Sequence, residues 1–131
     1  MPEVPMETPP ARKIAIIDDS VFMRTRIRWA VEEAFPGADI REFVDGQAGL
    51  EGLPGFGPDL VLLDMLMPRL SGTDVLRKLR EGGSAVPVLV ITADVQEAVR
   101  KRVEELGAIG LIHKPFSHEK LIGILTGLTL P

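Results

Sequence analysis

Lys13-Ile14-Ala15-Ile16-Ile17 runs directly into Asp18-Asp19-Ser20. A short run with apolar residues at successive positions reads as a strand buried on both faces, because a half-exposed strand would alternate. Three further runs share this form. Leu60-Val61-Leu62-Leu63 ends on Asp64, Val88-Leu89-Val90-Ile91 on Thr92, and Leu111-Ile112-His113 on Lys114-Pro115. Helical patterns separate the runs, so the strands are expected to be parallel. In a parallel sheet all C-terminal strand ends lie on one edge, where ligands bind. Three carboxylates, a hydroxyl and an ammonium, far apart in the chain, are therefore expected at one place.

Working outward from these runs, strand and helix patterns alternate five times. Strands are expected at about 12–18 and 39–43, followed by three that end at Asp64, Thr92 and Lys114. Helices are expected at about 20–35 and 45–53, from a Ser71 cap to Glu81, at about 95–106, and from Ser117 onward. Pro36-Gly37 stops the first helix, and residues 54–58 read as a loop. Apolar residues at 95, 98, 99, 103 and 106 give the fourth helix its period, and Gly107 sits where a C-cap belongs. Five such units with right-handed crossovers give an α/β fold, a doubly wound five-stranded parallel sheet flanked by five helices. Residues 1–11, with four prolines, are expected to form a flexible tail, and 12–131 a single domain.

Composition narrows the function classes. The 131 residues suffice for one full core, and 45% hydrophobic with 26% charged residues is ordinary globular usage. A net charge of -4 argues against a direct nucleic-acid partner. The chain has no cysteine, which excludes disulfides, cysteine nucleophiles and thiolate zinc sites and suits a reducing compartment. The N-terminus lacks the basic and apolar regions of a signal peptide, and the longest apolar stretch, 121–130, is too short for a bilayer. A soluble cytoplasmic protein with no membrane partner is the expectation.

Each residue of the constellation has an ordinary explanation when taken alone. Asp19 suits a helix N-cap, Asp64 a loop, Thr92 a strand and Lys114 the surface. Together they argue differently. Three acids crowded at one edge, with no counter-charge nearby in the sequence, call for a divalent cation. A hard cation such as Mg²⁺ takes oxygen ligands of this kind. The hydroxyl and ammonium suit an anion held against that cation, which points to phosphoryl chemistry with a carboxylate as acceptor. His113 and His118 read as isolated, solvated histidines rather than metal ligands.

These pieces, in this order, resemble the receiver domain of bacterial response regulators, the phosphoacceptor half of two-component signalling. The matching residues are Asp18-Asp19-Ser20, Asp64 with Met67-Pro68 and Gly72, Thr92-Ala93, and Gly107-Ala108-Ile109-Gly110 leading to Lys114-Pro115-Phe116. The resemblance implies a flavodoxin-like strand order, 2-1-3-4-5. It implies that Asp64 accepts a phosphoryl group from a phosphohistidine. It assigns Mg²⁺ to Asp19, Asp64 and the backbone carbonyl of Leu66, with Asp18 helping partly through water. Lys114 would pair with the phosphoryl group, Thr92 would hydrogen-bond to it, and Pro115 would follow a cis bond. Partners would be a sensor histidine kinase or phosphotransfer protein and a downstream protein target, with a phosphorylation-dependent dimer left open. Where the family usually has Tyr or Phe three residues before the lysine, this chain has Leu111, which offers no large rotating ring.

The first helix carries a second expectation. Met23, Ile27, Ala30, Val31 and Ala34 form its core stripe. Phe22, Arg26, Trp29 and Glu33 follow helical spacing on another face. Aromatic and arginine anchors are typical of binding hot spots, so Phe22, Arg26 and Trp29 are expected to form a partner-docking patch. Peripheral packing on a neighbouring element is the alternative. For the whole chain, three readings stand side by side: a stand-alone receiver of chemotaxis-regulator type, the receiver part of a longer regulator with an output domain, and an aspartate-nucleophile phosphatase. The last wants a second acid two residues after the nucleophile, where this chain has Leu66.

Overall fold

A computed structural model describes residues 12–131; the tail expected over 1–11 lies outside the described residues. The elements alternate as β1 (Lys13–Ile17), α1 (Val21–Ala34), β2 (Asp39–Phe43), α2 (Gly46–Phe56), β3 (Leu60–Leu63), α3 (Gly72–Glu81), β4 (Val88–Thr92), α4 (Glu97–Glu105), β5 (Gly110–His113) and α5 (His118–Thr126). All strand pairs are parallel, in the order β2-β1-β3-β4-β5. The expected doubly wound sheet is therefore the fold.

The continuous apolar runs arise because helices cover both faces of the sheet. Ile14, Ile16, Leu60, Leu62, Leu89, Ile91 and Ile112 pack on one face against Ile27, Ala30 and Val31 of α1 and Leu121 and Leu125 of α5. Ala15, Ile17, Val61, Leu63, Val88 and Val90 pack on the other, against α2, α3 and α4. α2 approaches the sheet on glycines. A Cβ at Gly49 would lie 2.6 Å from Ile17 Cδ1, one at Gly46 2.7 Å from Val75 Cγ2, and one at Gly52 would overlap the Phe43 ring.

Two element boundaries depart from the sequence expectation. α2 does not stop before Pro54; it runs through it to Phe56. Leu53 and Phe56, each 3% exposed, draw the last turn into the core, and Gly57 in the left-handed region (φ 64°) ends it by donating to the Leu53 carbonyl. α4 starts at Glu97, not at 95. The Asp94 carboxylate accepts the Gln96 N–H at 3.0 Å, a local turn that competes with helix, and leaves Val95 73% exposed. Val103 is the one buried residue of α4 among the described residues.

Register positions the site. Ile17 lies level with Leu63, and Leu63 with Val90, so Asp18 and Asp64 leave adjacent strands side by side. Thr92 lies level with His113, which places Lys114 one step beyond it.

Candidate functional site

The C-terminal edge gathers the residues that ended the apolar runs. Carboxylate oxygens of Asp18, Asp19 and Asp64 all lie within 4.8 Å of one another. Asp18 and Asp64 are buried, at 1% and 4% exposure, while Asp19 is exposed. Lys114 Nζ reaches into this group, 2.8 Å from Asp18 Oδ2 and 3.5 Å from Asp64 Oδ2. The three acids thus have the expected ammonium among them, paired directly with Asp18. Sequence proximity could not show it, because Lys114 and Asp18 are 96 positions apart.

Backbone N–H groups hold the buried carboxylates and the hydroxyl of the pocket. Asp18 Oδ1 accepts the Ser20 N–H at 2.9 Å, and Asp64 Oδ1 accepts the Leu66 N–H at 3.2 Å. The Thr92 hydroxyl oxygen accepts the Asp94 N–H at 3.1 Å, and its own proton serves as a donor toward Asp64. Burial pushes the Asp64 carboxyl above its usual range. The Lys114 ammonium opposes that shift, the Asp18 charge adds to it, and the Leu66 N–H and Thr92 hydroxyl oppose it further. Gly72 lets α3 begin against the pocket: a Cβ there would overlap the Asp64 carbonyl, and would lie 2.5 Å from Met65 Cε. Leu66, 53% exposed, stands at the mouth. The Lys114–Pro115 bond is cis, as the resemblance implies. Leu111 is half-buried on the α4 side, where a groove of about 330 Å³ runs past Arg100, Val103, Leu111 and His113.

The expected docking residues all lie on α1. Phe22 and Trp29 are 67% and 57% exposed. Arg26 is half-buried and already engaged, donating to the Phe116 carbonyl at 3.1 Å. Trp29 stacks on His118 with ring centroids 3.9 Å apart, and His118 Nε2 lies 3.0 Å from Glu33 Oε1. His118 is therefore a packed contact of α1, not the isolated solvated side chain expected from sequence; His113 is exposed. Sequence reading also passed over the task of Arg24. It sits on the core face of α1 in helical step with Ile27 and Val31, donates to the Asp18 carbonyl at 2.6 Å, and pairs with Glu42 at 3.2 Å. A charged residue inside an apolar stripe was the available signal.

Fold and site together define a class: a doubly wound α/β domain of flavodoxin-like strand order with an acidic pocket and a lysine at its C-terminal edge. The response regulator receiver domain model matches residues 14–126, and the chain belongs to that family. Response regulator MprA of Mycolicibacterium vanbaalenii is 36% identical over 118 residues, covering 88% of this chain and 49% of the relative. Response regulator MprA of Mycobacterium avium is 35% identical, covering 88% and 50%. The chain spans about half the length of the curated relatives it matches. Among solved structures, the Francisella response regulator 1452 receiver domain superposes with a TM-score of 0.77 at 26% identity, covering 87% of this chain and 93% of that one. Vibrio cholerae chemotaxis protein CheY4 superposes at 0.80 and 23% identity, covering 91% and 99%, a likeness of fold. Receiver domains take part in phosphotransfer, bind Mg²⁺ through acidic residues, and interact with histidine kinases or phosphotransfer proteins. Among the described residues no helix is long and apolar enough to cross a membrane.

Proposed function

We infer that Asp64 is the phosphoacceptor of this chain, and that its phosphorylation switches binding to a protein partner. The observation that carries this is the convergence of the Asp18, Asp19 and Asp64 oxygens within 4.8 Å, with the Lys114 ammonium among them. A carboxylate oxygen of Asp64 bonds to phosphorus as the P–N bond of a phosphohistidine breaks. The electron pair leaves with the ring nitrogen, and the imidazole, protonated on its other nitrogen, departs neutral. The product is an acyl phosphate. Attack of water on phosphorus later breaks the Asp64 O–P bond, returning the carboxylate and releasing inorganic phosphate. Lys114 pairs with the new phosphoryl charge, and the hydroxyl proton of Thr92 donates to a phosphoryl oxygen.

The donor set is all oxygen, which suits a hard cation. Asp19, Asp64 and the Leu66 backbone carbonyl would hold Mg²⁺, with Asp18 acting partly through water. When bound, Mg²⁺ supplies charge neutralisation on the transferring group. On this reading the domain works in the cytoplasm beside a sensor histidine kinase or phosphotransfer protein. The exposed rings of Phe22 and Trp29 are its docking anchors, with Arg26 between them. Phe22→Ala should slow transfer from a phosphorylated histidine phosphotransfer domain several-fold more than it slows phosphorylation by acetyl phosphate. Equal slowing of both would reject the docking patch.

Intact mass after incubation with Mg²⁺ and acetyl phosphate tests the acceptor. One labile phosphoryl adduct is expected, lost when Mg²⁺ is omitted and in Asp64→Asn. An adduct that persists in Asp64→Asn would overturn the assignment.

The half-length match to the curated relatives favours a second reading, a receiver that is part of a longer regulator with an output domain. The intact mass of the protein from its native source separates that from a stand-alone switch. The apolar Leu66 two residues after Asp64 speaks against the phosphatase alternative.

A further inference from the structure

Arg26 lies on α1, outside the acidic pocket, yet it holds the loop that carries the pocket's lysine. Its Nη2 donates to the Phe116 carbonyl at 3.1 Å, and its guanidinium carbon lies 5.1 Å from the centre of the Phe116 ring. Phe116 is two residues beyond Lys114 and is 7% exposed. The Trp29 stack on His118, with Glu33 at 3.0 Å from His118 Nε2, holds the same segment a second time, at the first residue of α5. On the core face of the same helix, Arg24 donates to the Asp18 carbonyl at 2.6 Å. α1 therefore grips both loops whose side chains meet in the Lys114–Asp18 contact at 2.8 Å. On its strand side Lys114 is fixed by its N–H on the Thr92 carbonyl at 2.9 Å. On its helix side, Arg26 and Trp29 of α1 contact the loop and the first residue of α5.

We propose that Arg26 is a positioning residue for Lys114, acting through the β5–α5 loop, with the Trp29–His118 stack as the second point of the same clamp. The proposal rests on the reading of Asp64 as phosphoacceptor. It gives the outer face of α1 a second duty: a partner seated on Phe22 and Trp29 bears directly on the side chains that set the lysine.

The test is a double-mutant cycle read as the rate of Asp64 phosphorylation by acetyl phosphate at saturating Mg²⁺, with thermal melts in parallel. Arg26→Gln should slow phosphorylation on the order of tenfold, since a displacement of about 1 Å in a reacting group is costly. Arg26→Lys, which keeps the charge, should recover part of the rate. In a Lys114→Met background, Arg26→Gln should have no further effect, because the two residues act as one unit. Wild-type rate in Arg26→Gln, or the same loss with and without Lys114, would overturn the proposal. If Arg26→Gln does not fold, His118→Gln takes its place in the cycle: a slowing that vanishes in Lys114→Met is expected, and one that persists overturns the clamp. Absence of any adduct on wild-type Asp64 is a different result, which removes the phosphoacceptor reading and the proposal together.

Discussion

α1 and α4 follow strands that each deliver a residue to the same pocket, Asp18 from one and Thr92 from the other, but they are anchored very differently. α1 has 14 residues, four of them buried, and a Ser20 side chain that accepts the Met23 N–H. Arg24, Arg26 and Arg28 each tie it to backbone carbonyls or to Glu42. α4 has nine residues, and its N-cap, Gln96, makes no side-chain capping bond. Its firm attachment is at the far end, where Arg80 of α3 donates to the carbonyls of Leu106 and Gly107, and to those of Ser84 and Val86. The groove beside Leu111 lies along this same helix. One wall of the pocket is thus pinned close to the chemistry and the other only at a distance. A charge appearing on Asp64 would find its freedom to rearrange on the Thr92–α4 side.

The largest expected effect that could break this contrast is at Arg24. Arg24→Met should cost about 2 kcal/mol in urea unfolding, because it leaves the buried Asp18 carbonyl without the guanidinium that donates to it, while Glu42 keeps its pair with Arg28 at 2.8 Å. A loss near zero would mean that α1 is not held by its arginine and that the asymmetry rests on apolar burial alone. A smaller effect sharpens the comparison at the helix starts. Ser20→Ala should cost about 1 kcal/mol, whereas Gln96→Ala should fall within about 0.5 kcal/mol of wild type. Equal losses at the two positions would show the start of α4 to be as well fixed as that of α1.

The difference between the two helices also separates what the sequence shows from what it hides. β1, β3 and β4 were legible because burial on both faces leaves an unbroken apolar run, and the polar residue ending each run marks the sheet edge. β2 was legible at its ends as well. The start of α4 was misread because Val95 continues the apolar period, while the Asp94 side chain, invisible to periodicity, takes the Gln96 N–H and delays the helix. Pro54 looked like a stop because propensity cannot weigh the burial of Phe56. In the pocket, residue types and strand ends could be read, but the Lys114–Asp18 pair could not, since nothing local links the two. Arg26 was visible as an exposed-face arginine; its hold on Phe116 depends on how α5 packs beside α1.

The glycines of α2 have a consequence for any comparison of two states of this molecule. A helix cushioned on side chains can slide or roll a little by changing rotamers. Over its first two turns α2 rests on Gly46, Gly49 and Gly52, where even a methyl group would collide with Val75, Ile17 or Phe43, so it has little such cushion there. Ile17 and Phe43 tie it closely to β1 and β2, and Val75 to α3, so these elements form one plate. That plate is the natural reference frame: superposing two forms of the protein on α2, α3, β1 and β2, rather than on all Cα atoms, would keep a real displacement of α4 from being averaged away.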